Sequence, residues 1–111
     1  MDIARSIIGT LEDKKGEDIL LLDIQSLSLF TDYFIICSGT SDRMLRSLAN
    51  SVIEDAKKDY DLNGRMEGKP EEGWVLVDLG SIIIHLFSPD KREYYQLEKL
   101  WIDGKVLIRL Q

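Results

Sequence analysis

Between residues 41 and 60 apolar side chains recur at every fourth position: Met44, Leu48, Val52, Ala56 and Tyr60, flanked by Leu45, Ala49 and Ile53. That period lays one apolar stripe along a helix and is incompatible with a strand, whose faces alternate every second residue. Short apolar runs stand on both sides of it: "DILLLDI" (18–24) and "DYFIICS" (32–38) before, "WVLVDLGSIIIHLF" (74–87) after. The early runs are nearly continuous rather than alternating, which predicts strands interior to a sheet and covered at least partly on both faces. The later run reads as a hairpin turning near Leu79-Gly80-Ser81. Strand, long helix, strand requires at least one right-handed crossover, whereas hairpins require antiparallel neighbours. The expected fold is therefore α/β (α+β): a mixed five-stranded sheet with flanking helices, packed largely on one face.

Local signals fill in the rest. Asp2 can cap a first helix striped by Ile3, Ala4, Ile7, Ile8 and Leu11, ending near "DKKG", where Gly16 permits a left-handed stop. Ser41 is the candidate cap of the long helix, with Asp42 favourably placed in its first turn. Residues 61–73 are rich in turn formers and read as loop, with a short strand around Arg65 to Glu67. "SPDKREYYQLEKLW" (88–101) reads as one helix, Ser88 at its cap and Pro89 at its first position, with Tyr94, Leu97 and Trp101 along one side. For "IDGKVLIRLQ" an edge strand and a loosely held tail are equally compatible with the pattern.

Composition narrows the function classes. The 111 residues make a single domain (1–111), with 44% hydrophobic and 31% charged side chains, as suits a globule with one core. No apolar stretch approaches the roughly 20 residues needed to cross a bilayer. "MDIARSIIGTLEDKK" lacks the basic-then-apolar layout of an export signal, so the expected compartment is the cytoplasm. Net charge is −6, and acids outnumber bases in both halves of the chain. Without a basic arm, dominant direct binding to nucleic acid is disfavoured, and the charge steers the domain toward a basic partner.

Three constellations invite chemistry. Ser38-Gly39-Thr40-Ser41, between a strand and a helix, is the shape in which many enzymes hold phosphate, and it is most like the glycine-hydroxyl motif of nucleotidyltransferases. Those enzymes also need paired acids on the next strand to hold metal ions. Asp78 stands alone there, with Leu76 and Gly80 at its alternate positions, so a plain strand-to-helix turn is the preferred reading. A nucleotide- or phosphate-binding enzyme using Ser38–Ser41 is the alternative. Cys37 and His85, each inside an apolar strand, read as core residues rather than a catalytic pair, and one of each cannot build a zinc site. Acidic neighbours such as Glu54-Asp55 diverge on a helix and read as solvated surface.

Trp74 is more informative. On its strand the 75, 77, 79 set is wholly aliphatic and faces the core, while the 74, 76, 78 set ends in Asp78. Trp74 then stands on the face that helices leave uncovered, where a tryptophan beside aliphatics and acids has the composition of a protein-binding hot spot. Core packing is the competing reading, and it is preferred for Trp101 and for one of Tyr94 and Tyr95.

Together "EDKKGEDILLLDI", "TDYFIICSGTSDR", "EGKPEEGWVLVDLGSIIIHLF" and "REYYQLEKLW" resemble the ribosomal silencing factor family, also called Iojap-related, over residues 11 to 101. The resemblance implies a nucleotidyltransferase-like topology without the catalytic acid pair, no enzymatic activity, no cofactor and no metal. It implies a translational repressor that binds ribosomal protein fourteen of the large subunit and sterically blocks joining of the subunits under nutrient limitation. Homodimers are also implied. Trp74 maps onto the family's contact tryptophan; Asp32, Tyr33, Tyr95, Leu97 and Leu100 are expected on the same surface. Asp78 and Glu67 are expected to pair with Arg or Lys of the partner. Residues after Trp101 are not covered by the resemblance.

Overall fold

A computed structural model of the chain describes residues 2–100 and 103–110. Helix α1 (Asp2–Asp13) leads to β1 (Glu17–Asp23) and β2 (Tyr33–Ser38), then α2 (Asp42–Tyr60), β3 (Arg65–Lys69), a 3-10 turn (Pro70–Glu72), β4 (Trp74–Asp78) and β5 (Ile82–Phe87). Two short helices, α3 (Pro89–Tyr95) and α4 (Leu97–Leu100), precede β6 (Lys105–Leu110). Among the described residues the sheet has six strands, one more than expected, in the order β3-β4-β5-β2-β1-β6. The sixth is the tail segment, which pairs antiparallel with β1 and occupies an edge. β2 and β5 are parallel, joined by the crossover through α2, and the other neighbours are antiparallel.

The amphipathic stripe does what its period dictates. Leu45, Leu48, Ala49 and Val52 of α2 are buried with Ala4, Ile7, Ile8 and Leu11 of α1 against Ile35, Cys37, Val75, Val77, Ile84 and Leu86 of the sheet. Ala56 is buried as well, whereas Tyr60 at the end of the stripe is 37% exposed. Thr10 of α1 donates to Asp55 of α2 at 2.7 Å, fixing the two helices across the top of this layer. Ser41 caps α2, its hydroxyl accepting from the Met44 amide at 3.0 Å. At the other end Asp61 turns left-handed (φ 55°), its amide bonding back to Lys57.

Two expectations shift. At the end of α1 the left-handed residue is Lys15 (φ 70°), not Gly16. Gly16 lies where the chain passes β2: a Cβ there would sit 2.6 Å from Cys37 Sγ and 3.0 Å from the Leu11 carbonyl, so closeness rather than backbone angle requires glycine. Cys37 is fully buried, and burial pushes its thiol up to about 12.

The single helix expected over 88–101 is broken at Gln96, which adopts φ 48°. Ser88 stands at the cap without a side-chain capping bond, and Pro89 takes the first position. The break has a packing cause. It turns Leu97 into a second apolar cluster on the other face of the sheet, with Leu20, Leu22, Ile24, Phe34, Ile36 and Phe87. Trp101 and the side chain of Leu100 lie outside the described residues. Among the described residues no helix is long and apolar enough to cross a membrane.

Candidate functional site

Strand alternation puts Val75 and Val77 under the helices and leaves Trp74, Leu76 and Asp78 on the second face, partly exposed, as the sequence pattern requires. The hairpin register sets Trp74 opposite Phe87 and Leu76 opposite His85. Alternation on β5 then brings His85 and Phe87 to the same face as Trp74. The Trp74 ring stacks on Phe87 at 5.0 Å between centroids, and Tyr95, at the end of α3, closes over it at 4.7 Å.

The indole N–H of Trp74 donates to His85 Nδ1 at 3.3 Å. His85 is buried and edge-on to Phe34, and burial lowers its pKa from the usual 6.5 to about 4. The ring is therefore neutral near pH 7, and the indole bond fixes the tautomer: Nδ1 accepts and Nε2 carries the proton. Trp74 consequently presents a flat apolar face with its one polar atom satisfied internally. A shallow pocket of about 240 Å³ opens beside it, lined by Glu67, Gly68, Glu72, Trp74, Leu76 and Tyr95. Gly68 (φ 91°) lets β3 press on β4 here; a Cβ would sit 2.6 Å from the Trp74 carbonyl oxygen. An aromatic floor with two carboxylates at its rim suits an apolar residue flanked by Arg or Lys.

Of the residues expected on this surface, Trp74, Glu67 and Tyr95 are brought together. Leu97 is 9% exposed and belongs to the core beneath. Tyr33 packs on the helix-covered face and its hydroxyl accepts from Gln25 at 3.0 Å, so it does not share a face with Trp74. Asp32, exposed, and Asp78 lie at the opposite end of the sheet, where the Asp32 amide donates to Ser81. One Asp78 oxygen accepts from the Gly80 amide at 2.8 Å and stabilises the hairpin turn. Asp78 is likewise at the far end of its strand from Ser38–Ser41, so the acid and the hydroxyl loop do not converge. That loop is internally occupied: Gly39 donates to the Phe87 carbonyl, and Ser41 caps α2. Among the described residues no group of three or more His, Cys, Asp or Glu is placed to hold a metal ion.

His85 and Phe87 support the site and were legible from alternation once the hairpin was recognised. A second apolar patch carried no periodic signal. Leu29 and Phe30, in the loop between β1 and β2, are 97% and 91% exposed, at the end of the sheet away from Trp74.

Comparison with known proteins gives a consistent result. Residues 1–110 match the family described as "Ribosomal silencing factor during starvation". The ribosomal silencing factor RsfS of Bacillus subtilis is 47% identical over 102 residues, covering 92% of this chain and 86% of that protein. The RsfS of Haemophilus influenzae is 42% identical over 102 residues, with 91% and 99% covered. A crystal structure of a Chromobacterium violaceum protein superposes with a TM-score of 0.86 at 35% identity, covering 99% of this chain and 91% of that one.

Proposed function

The chain belongs to the ribosomal silencing factor family, and on that premise we propose that it represses translation by obstruction. It binds ribosomal protein fourteen of the large subunit through the Trp74 surface and blocks joining of the subunits when nutrients are scarce. The observation that carries this reading is the Trp74 platform itself. An aromatic face with its N–H satisfied internally sits over a shallow pocket rimmed by Glu67 and Glu72, on a domain of net charge −6. Such a surface gains affinity by covering apolar area and by steering a basic partner, without transforming it.

No bond needs to change for this activity. A cytoplasmic domain with a radius of gyration of 12.6 Å, seated on a contact between subunits, excludes the opposing surface by volume alone. Self-association through the same face would compete with the ribosomal partner, so a homodimer would be a storage form on this reading.

The test is direct. Large subunits are incubated with the protein or with its Trp74→Ala variant, then offered small subunits and sedimented. The native chain should co-sediment with large subunits and suppress joined ribosomes. The variant should bind roughly thirtyfold more weakly, equivalent to about 2 kcal/mol, and restore joining. Equal binding by a folded variant would remove Trp74 from the interface. Joining that proceeds with the native chain bound would remove the mechanism.

A further inference from the structure

A larger crevice than the Trp74 pocket, about 480 Å³, opens at the carboxyl ends of the parallel strands β2 and β5. The helix after β2 packs on one face of the sheet, whereas the α3–α4 corner after β5 sends Leu97 to the other. Connections leaving in opposite directions from adjacent parallel strands create the switch-point crevice in which open α/β sheets bind ligands. The position alone would mean little, because Ser41 and Gly39 are already engaged. What distinguishes the crevice is Arg92.

The Arg92 side chain is 93% buried, yet the guanidinium is only partly satisfied. A bulge in β1 puts Asp18 at φ 50° and turns its carbonyl out of the ladder toward Arg92 Nη1. The same nitrogen donates to Ser38 Oγ at 2.9 Å, and Nε donates to Glu98 Oε2 at 3.2 Å. Among the described residues Nη2, Asp18 Oδ1 and Glu98 Oε1 have no hydrogen-bond partner, all three buried, while Asp18 Oδ2 forms an ion pair with Nη1 at 3.8 Å. One cationic donor and two anionic acceptors on residues lining a single crevice thus lack hydrogen bonds, where unmet charged groups are costly. Terminal carboxylate torsions are soft, so both acids can turn toward an occupant.

The lining chooses the class of occupant. Three cations (Arg92, Lys99, Arg109) face three acids (Asp18, Glu93, Glu98), so the wall carries no net charge. A polyanion such as a nucleoside triphosphate would meet three carboxylates. A molecule with one carboxylate and one ammonium answers both sets of open valences: the carboxylate on Arg92 Nη2 with Lys99 and Arg109, the ammonium on Asp18 and Glu98. We propose that this crevice binds a small zwitterion of free α-amino acid type.

Titration calorimetry on the full chain, with the free amino acids one at a time, tests the assignment. Their N-acetyl and carboxamide derivatives, inorganic phosphate and ATP serve as comparisons. At least one amino acid should bind saturably, at up to millimolar concentration, and removing either charge from it should weaken binding roughly tenfold or more. Arg109→Ala, at an exposed position, should weaken binding several-fold with the fold unchanged. Glu98→Gln should weaken the amino acid but not its N-acetyl form. The assignment is overturned if no amino acid binds, if the blocked derivatives bind equally well, or if phosphate or ATP binds where amino acids do not. Unchanged affinity in both variants would also overturn it. No ribosome enters the measurement, so its outcome is independent of the silencing reading.

Discussion

The two faces of the sheet are built from different chemistry. On the helix-covered face the contacts are aliphatic: Leu48, Val52, Ile35, Val77, Ile84 and their neighbours, each essentially without exposure. On the other face Trp74, His85, Phe87 and Tyr95 interlock, and both Trp74 and Tyr95 still reach solvent. Aliphatic packing is non-directional and maximises area removed from water. Aromatic packing holds rings at fixed angles while leaving edges and faces available. The second face also buries Leu20, Leu22, Ile24 and Ile36, so what sets it apart is its Trp74 end, where a shaped surface is added to the packing. Substitutions should separate that surface from the core.

The largest effect is expected on the helix-covered face. Leu48→Ala removes a fully buried side chain from the middle of α2 and should lower stability by roughly 2–5 kcal/mol in urea unfolding. If the proposed function holds, its folded fraction should match the native chain in binding large subunits. Loss of binding by that fraction would mean the faces are coupled.

Acid should strike the aromatic face next. The folded pKa of His85, about 4, lies below its unfolded value of 6.5, so the unfolded chain takes up the proton first. The contribution of the neutral ring is complete above pH 6.5 and is lost as pH falls toward 4, by roughly 3 kcal/mol in all. The difference in unfolding free energy between the native chain and His85→Phe should narrow across that window. A constant difference would show that the ring does not titrate this way.

Trp74→Ala divides the two properties within one residue. Its stability loss should be smaller than that of Leu48→Ala, because the ring is only partly buried, whereas partner affinity should fall by about 2 kcal/mol. Tyr95→Ala, at a site 41% exposed, should cost about 1 kcal/mol of binding by removing the ring that closes over Trp74. Its unfolding midpoint should move little. A larger stability loss than for Trp74→Ala would make Tyr95 a structural strut.

How far the sequence carried these conclusions differs by residue. Period four on α2 named Leu48, Val52 and Ala56 correctly but also Tyr60, which is 37% exposed at the helix end, and alternation on β4 named the side on which Trp74 lies. Tyr33 was harder: in "DYFIICS" both faces are apolar, so parity gives no sign of which one meets the helices. Gln96 breaks a run with helical composition because Leu97 has a better site on the sheet, and only the tertiary fold provides that site. Nothing local in the sequence sets Arg92 apart from a surface arginine on a helix. Its burial depends on a carbonyl 74 residues away, turned out by a bulge that no local pattern announces. The tail became a strand because β1 offered an unpaired edge to "KVLIRL", again a partner remote in the chain.

The sulfur sealed between Gly16 and the α2 stripe has a practical consequence. A thiol held protonated offers peroxides and alkylating reagents no nucleophile, so oxidants do not govern this molecule through it. Only when the helices part from the strands can a reagent reach it. The rate of modification at that one atom thus reports how often this core opens, read without mutation.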